Sequence, residues 1–329
     1  MTRKVIILTG FLGSGKTTLL RGVISRLSEM SKVKVIINEL GEASLDHQLV
    51  RQLSEQVRLL GGGCACCNVR EDLVKALRDE LSLEMRGESP TPEYVVIETT
   101  GVSDPAPISF TITTDPVLQH HYMIHKIVAT LSTVDAVKNL ERSTESLKQL
   151  MMADLIVLTK VDIEPKSDAL IEKIRSLNPA AEIVEAVRGE LNPEIFFRAG
   201  MLRTIEENPP SMRAGKSNYI SVIFSGEVDW AVFGVWLSAL LYRHGDRILR
   251  VKAVVNVGGG DFILLNGVQH IIHAPEHFKA DPGERSRLIM VTRDIDPSIV
   301  LRSFQIFHRS LGEPPIGDYV VEGGAVHGY

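Results

Sequence analysis

A doubly wound α/β domain with a mostly parallel sheet, followed by a second, smaller α/β domain, is the fold class this sequence predicts. Three observations carry the prediction. Short β-branched runs alternate with helical patterns through the first two thirds of the chain. Several runs, such as Val95-Val96-Ile97, are continuously apolar, as strands covered on both faces must be. The first run leads through Gly10-Phe11-Leu12-Gly13-Ser14-Gly15-Lys16-Thr17 straight into a helical pattern, the strand–loop–helix order of a phosphate loop.

In chain order, strands are expected at Lys4–Thr9, Lys34–Asn38, Val57–Leu60, Tyr94–Glu98, Lys126–Val134, Asp154–Thr159 and Glu182–Val187. Between them, a helix over Gly15–Glu29 sets Leu19, Leu20, Val23, Ile24 and Leu27 on one face. Another over Asn68–Met85 has Asn68 as its cap, Glu71 three residues on, and Gly87 beyond its end. The alternation fades after Gly200, so residues 1–205 form the first domain. The polar, proline-containing stretch 206–218 lacks periodicity and reads as a linker. Residues 219–312 form the second domain, with strands at Tyr219–Ser225, Ile248–Val257, Phe262–Leu265, His270–His273 and Arg287–Thr292 and helices at Trp230–His244 and Pro297–Leu311. Residues 313–329, rich in glycine, read as a loose tail.

Composition limits the partners. The 329 residues are 44% hydrophobic and 23% charged, with a formal net charge of -5 and a pI of about 6.1. The basic residues are scattered, which argues against a nucleic-acid partner. The longest apolar stretch, Ala231 to Tyr242, is shorter than the roughly 20 residues that span a bilayer, so no membrane association is expected.

The phosphate loop makes nucleotide binding the first functional expectation. Its glycines let backbone N–H groups turn toward phosphate oxygens at a helix N-terminus. Gly10, Gly13, Ser14, Gly15, Lys16, Thr17 and Thr18 are the candidate nucleotide-binding residues. Lys16 would reach the β- and γ-phosphates, and the Thr17 hydroxyl would hold Mg²⁺. Glu98 ends an apolar strand and precedes Thr99-Thr100-Gly101. Its carboxylate can serve Mg²⁺ or its water shell, and the Gly101 amide can sense a γ-phosphate. Glu39, in Asn38-Glu39-Leu40-Gly41-Glu42 after the second strand, is a candidate for positioning the attacking water, as is Glu98.

The base is read from Thr159-Lys160-Val161-Asp162, which follows a strand. A carboxylate at Asp162 can accept from guanine N1–H and its exocyclic amine, a donor pair adenine lacks. The Lys160 stem can cover the face of the base. GTP is therefore favoured, although GTPases usually carry Asn where Thr159 stands.

All three cysteines lie in Cys64-Ala65-Cys66-Cys67, after Gly61-Gly62-Gly63 and before a helix. Such packing favours reduced thiols and a cytoplasmic setting. Thiolates select soft or borderline ions such as zinc, cobalt(II) or copper(I). An incomplete set of two or three thiolates leaves a position for an outside group, which suits transfer better than permanent binding; Glu42 is a separate candidate oxygen ligand near the cysteines. Cys67 faces away from Cys64 and Cys66 in extended chain and converges with them only if the loop turns. A redox pair and a structural zinc site compete with this reading. For the whole chain, a small-molecule P-loop kinase and a non-catalytic metal sensor are the rival functions.

Taken together, Gly10–Thr17, Asn38–Glu42, Gly63–Cys67, Glu98–Pro105 and Thr159–Asp162 resemble the CobW-like family of P-loop GTPases, relatives of the nickel-inserting GTPases of urease and hydrogenase maturation. Arg250-Val251-Lys252-Ala253 and Leu265-Asn266-Gly267-Val268-Gln269 resemble that family's C-terminal module. The resemblance implies a P-loop GTPase domain and a GTP-hydrolysing metallochaperone that delivers a transition metal, usually zinc or cobalt, to a client metalloenzyme or to cofactor synthesis. It implies metal at the three cysteines, dependent on GTP and Mg²⁺, and leaves a GTP-dependent homodimer open. Three departures are visible: Ile37 replaces a Glu that several relatives carry as a potential ligand, Leu40 replaces the commoner Phe, and no histidine-rich tract follows the GTPase domain.

Overall fold

The computed structural model describes residues 2–27, 32–37, 57–59, 68–198, 219–224, 226–269, 271–273, 275–279, 284–293, 295–310 and 319–322. The chain divides into two compact units, Met1–Leu170 with Ala181–Met201, and Ile171–Ala180 with Leu202–Tyr329. The expected linker, 206–218, lies outside the described residues.

The described elements up to residue 198 run β1 (Arg3–Gly10), α1 (Lys16–Ile24), β2 (Val33–Ile37), β3 (Val57–Leu59), α2 (Asn68–Met85), β4 (Tyr94–Glu98), α3 (Ala106–Thr114) and α4 (Leu118–His121). They continue with β5 (Tyr122–Ser132), α5 (Ala136–Arg142), α6 (Thr144–Met152), β6 (Leu155–Thr159), α7 (Asp168–Leu177), β7 (Glu182–Ala186) and α8 (Pro193–Phe197). The sheet has seven strands in the order β3-β2-β4-β1-β5-β6-β7, and every pairing in it is parallel.

Burial on both faces explains the apolar strands. Ile6, Leu8 and Val96 pack with Leu19, Leu20, Val23 and Ile24 of α1 and with Phe196 of α8. Val5 and Ile7 are equally buried and alternate to the other side, where α3 lies against β5. Each such side chain contributes about 1.5–3 kcal/mol relative to exposure. Ile37 is 2% exposed within this core, so it is a packing residue. Asn68 is the first helical residue of α2 rather than its cap, and Gly87, at φ 72°, ends it as expected.

From residue 219 the described elements are β8 (Tyr219–Phe224), α9 (Trp230–His244), β9 (Ile248–Gly258), β10 (Asp261–Val268), β11 (Ile271–Ile272), β12 (Glu276–Lys279), β13 (Ser286–Thr292), α10 (Pro297–Ser310) and β14 (Tyr319–Glu322). Their sheet runs β11-β10-β9-β13-β8-β14, with β12 also on β10, and all its pairings are antiparallel. One face meets both helices through Phe233, Trp236, Leu237 and Phe304, and Trp236 Nε1 donates to Ser303 Oγ at 3.1 Å. The loose-tail expectation needs correction at Tyr319–Glu322, which pairs with Ser221–Phe224. Its Tyr-Val-Val core has the β preference that an edge strand requires. Helix α9 buries one face only: Val235 and Tyr242 on the other are 60% and 94% exposed. Among the described residues no helix is long and apolar enough to cross a membrane.

Candidate functional site

After β1 the chain turns to one side for β2 and β3, returns to place β4 beside β1, and then lays β5 on the opposite flank. That reversal opens a crevice beyond the carboxyl end of β1, where doubly wound sheets bind ligands. The loops after β1, β4, β5, β6 and β7 all leave from this edge.

Gly10, Gly13 and Gly15 hold φ values of 144°, 70° and 90°, a region only glycine enters freely. A Cβ on Gly10 would collide with the carbonyl and hydroxyl of Thr130 on β5. Ser14 Oγ meets Thr130 Oγ1 at 2.6 Å. Lys16 begins α1, is 7% exposed, and donates from Nζ to the carbonyls of Gly10 (2.9 Å) and Phe11 (3.3 Å). The ammonium therefore already lies over the loop whose N–H groups would cradle phosphates. Thr17 Oγ1 donates to Glu98 Oε1 at 2.5 Å, and Glu98 is 1% exposed. A hydroxyl and a carboxylate brought together beside an anion site form the hard oxygen donor set that suits Mg²⁺. Thr18 is exposed, and its carbonyl faces Gly189.

The loop after β4 is fastened to the phosphate loop. Thr99 N donates to Leu8 O at 2.9 Å and Thr99 Oγ1 to Thr9 Oγ1 at 3.0 Å. Gly101 presses on the backbone of Leu12 so closely that a Cβ would clash. Gln149 of α6, 2% exposed, donates from Nε2 to the carbonyls of Gly101 (3.2 Å) and Ser103 (2.9 Å). Lys148 pairs with Asp104 at 2.9 Å.

The base-reading segment is reached through Thr159. Its hydroxyl is buried and donates to Ser14 O at 2.7 Å. Thr159 thus ties the two loops together, and the structure shows its side chain bonded to protein. Lys160 has φ 58°, and its carbonyl caps a turn by accepting from Ile163 N and Glu164 N. Asp162 is exposed, with Oδ2 at 3.6 Å from Arg188 Nε in the loop after β7. Thr133, after β5, donates to Glu164 O at 2.6 Å and fixes the far end of this turn. Thr130, Thr133 and Gln149 carried no motif signal: Thr130 and Thr133 are hydroxyls at or just after the end of β5, and Gln149 is a buried amide within α6.

Glu39, Glu42, Cys64, Cys66 and Cys67 lie outside the described residues. Among the described residues no group of three His, Cys, Asp or Glu side chains forms a metal cluster. His125 is half-buried, with Nε2 donating to Phe197 O at 2.9 Å and its ring edge-on to Tyr94.

This sheet, loop and acid define a P-loop nucleotide-binding protein. Residues 4–185 match the CobW/HypB/UreG nucleotide-binding domain, and residues 218–307 match the cobalamin synthesis protein CobW C-terminal domain. The chain belongs to the CobW/HypB/UreG family. It is 33% identical over 280 residues to the zinc chaperone YjiA of Escherichia coli, covering 82% of this chain and 87% of that protein. It is 27% identical over 342 residues to the zinc chaperone CobW of Pseudomonas aeruginosa, covering 90% and 89%. The crystal structure of the Zn(II)-bound YjiA GTPase from E. coli superposes with a TM-score of 0.68 at 23% identity, over 92% of this chain and 98% of that one, a likeness of fold.

Proposed function

We propose that this protein is a GTP-hydrolysing metallochaperone that captures zinc or cobalt(II) at Cys64, Cys66 and Cys67, with Glu42 as a further donor, and hands it to a client metalloprotein. The observation that carries the nucleotide half is the 2.5 Å contact of Thr17 Oγ1 with Glu98 Oε1 beside the buried Lys16. Family membership and relatives named zinc chaperones support the metal half.

Thr17 and Glu98 would hold Mg²⁺, which neutralises charge developing on the transferred phosphoryl group. Lys16 supplies a positioned positive charge to the same oxygens, and the N–H groups of Gly13 to Thr18 bind the phosphates. Glu98 is buried and bonded to Thr17, so the task of orienting water falls to Glu39. Asp162 accepts from guanine, Lys160 covers the base, and Gly101 reports the γ-phosphate. The metal is cargo: thiolates bind it in a cytoplasm that keeps them reduced. Residues 1–205 carry the GTPase, 206–218 the linker and 219–312 the C-terminal module.

Cobalt(II) titration tests the cargo site. A thiolate-to-metal absorption band is expected in the native protein, together with its loss in the Cys64→Ala, Cys66→Ala variant. No such band in the native protein, or a cobalt(II) affinity that the double substitution leaves unchanged, would place the metal elsewhere.

A further inference from the structure

The turn after β7 has an unusual construction. Val187, Arg188, Gly189 and Glu190 form a tight hairpin turn closed by Glu190 N donating to Val187 O at 2.8 Å. Both central residues are left-handed, Arg188 at φ 52° and Gly189 at φ 83°, the geometry of a type I′ turn. Asn or Gly normally fills the first central position, because a long side chain there is strained. An arginine held in such a position points to a use for its head group.

The turn is also fixed in place. A Cβ on Gly189 would strike the Thr18 carbonyl, and a Cβ on Gly22 would strike the Gly189 carbonyl. The backbone of the turn thus lies directly on α1, the helix that opens at the phosphate loop. Ala186 and Thr159 are register partners, so Arg188 and Asp162 emerge side by side from adjacent strands. Their head groups meet at 3.6 Å, with Arg188 84% and Asp162 32% exposed in their side chains. An ion pair so exposed adds little to stability, so it is easily exchanged for a ligand.

We infer that Arg188 is a specificity-determining residue of the base site: it donates to the O6 and N7 edge of guanine while Asp162 accepts from N1–H and the exocyclic amine. Guanine presents two acceptors on the one edge and two donors on the other, and the guanidinium fork matches the acceptor edge. Adenine sets an amino group where O6 would be, opposite a cation with no acceptor. The inference rests on the assignment of Asp162 as the guanine acceptor, and it adds a second reader that the familiar Lys-x-Asp motif does not contain.

Dissociation constants for three nucleotides test it, measured by calorimetry on the full chain. GDP has every edge group, 6-thio-GDP replaces O6 with a weakly accepting sulfur, and IDP lacks the exocyclic amine. Native protein should bind GDP more tightly than 6-thio-GDP, and Arg188→Ala should lose on the order of tenfold in GDP affinity and most of that preference. Its preference for GDP over IDP should stay at the native value, because Asp162 is intact. Arg188→Lys should restore part of the affinity. If Arg188→Ala weakens GDP and 6-thio-GDP equally, or leaves GDP unaffected, the assignment of Arg188 is overturned. Asp162→Ala separates the two claims. If it keeps the native GDP-over-IDP preference, the Asp162 reading fails, whatever Arg188 does.

Discussion

Lys16 has its ammonium bound to two carbonyls of its own loop, so the positive charge is held over the loop that would cradle phosphate. Preorganised charge of this kind carries much of the transition-state stabilisation in phosphoryl transfer. Lys16→Ala should lower GTP hydrolysis by at least about 10²-fold, read as phosphate release; a rate within twofold of native would remove Lys16 from the mechanism. Thr159 offers a test of stability. Thr159→Val deletes the bond to Ser14 O and leaves that carbonyl without this donor, a loss of about 1 kcal/mol in urea unfolding. His125 sets a pH dependence. Burial chiefly, with Lys4 and Lys126 adding, holds its imidazole below the ordinary value of 6.5, against the opposing bond to Phe197 and the pull of Asp154. The unfolded chain therefore takes up a proton that the native state refuses. This contribution to stability is complete above 6.5 and lost as pH falls below it. His125→Gln should flatten the urea midpoint between about pH 5 and pH 7; an unchanged slope would exclude His125.

At the scale of elements, local signals were legible and distant ones were not. The strand, loop and helix from Arg3 to Ile24 could be read because glycine spacing and helix periodicity are both local properties. The same holds for α2, whose Gly87 ends it with φ 72°. The edge strand Tyr319–Glu322 offers the contrast. In sequence it reads as tail, because its partner β8 lies far back along the chain, on the other side of every other strand of that sheet. Nor does any local pattern announce that the second sheet is antiparallel throughout. Gly189 is where an element-scale prediction belongs. Gly189→Ala combines a left-handed φ with a collision against the Thr18 carbonyl. It should cost more than about 1 kcal/mol in thermal or urea unfolding; a neutral result would mean that the turn moves freely over α1.

Across the whole molecule, the phosphate loop was visible in the sequence because glycine spacing, Lys16 and Thr17 form a short motif between strand and helix. Its bracing was not. Thr130, Thr133 and Gln149 meet the functional loops from 26 or more positions away, and any hydroxyl or amide in those strands and helices would look alike in sequence. A metal site dependent on GTP, as the family resemblance implies, makes one proposal central: triphosphate and thiolate-bound metal stabilise each other. Zinc affinity, measured by chelator competition with and without Mg²⁺ and a non-hydrolysable GTP analogue, addresses it most directly. Zinc should bind about 5–150-fold more tightly with the analogue present, a typical coupling, and linkage requires the analogue to tighten by the same factor when zinc is bound. Identical zinc affinities in the two series would contradict the account.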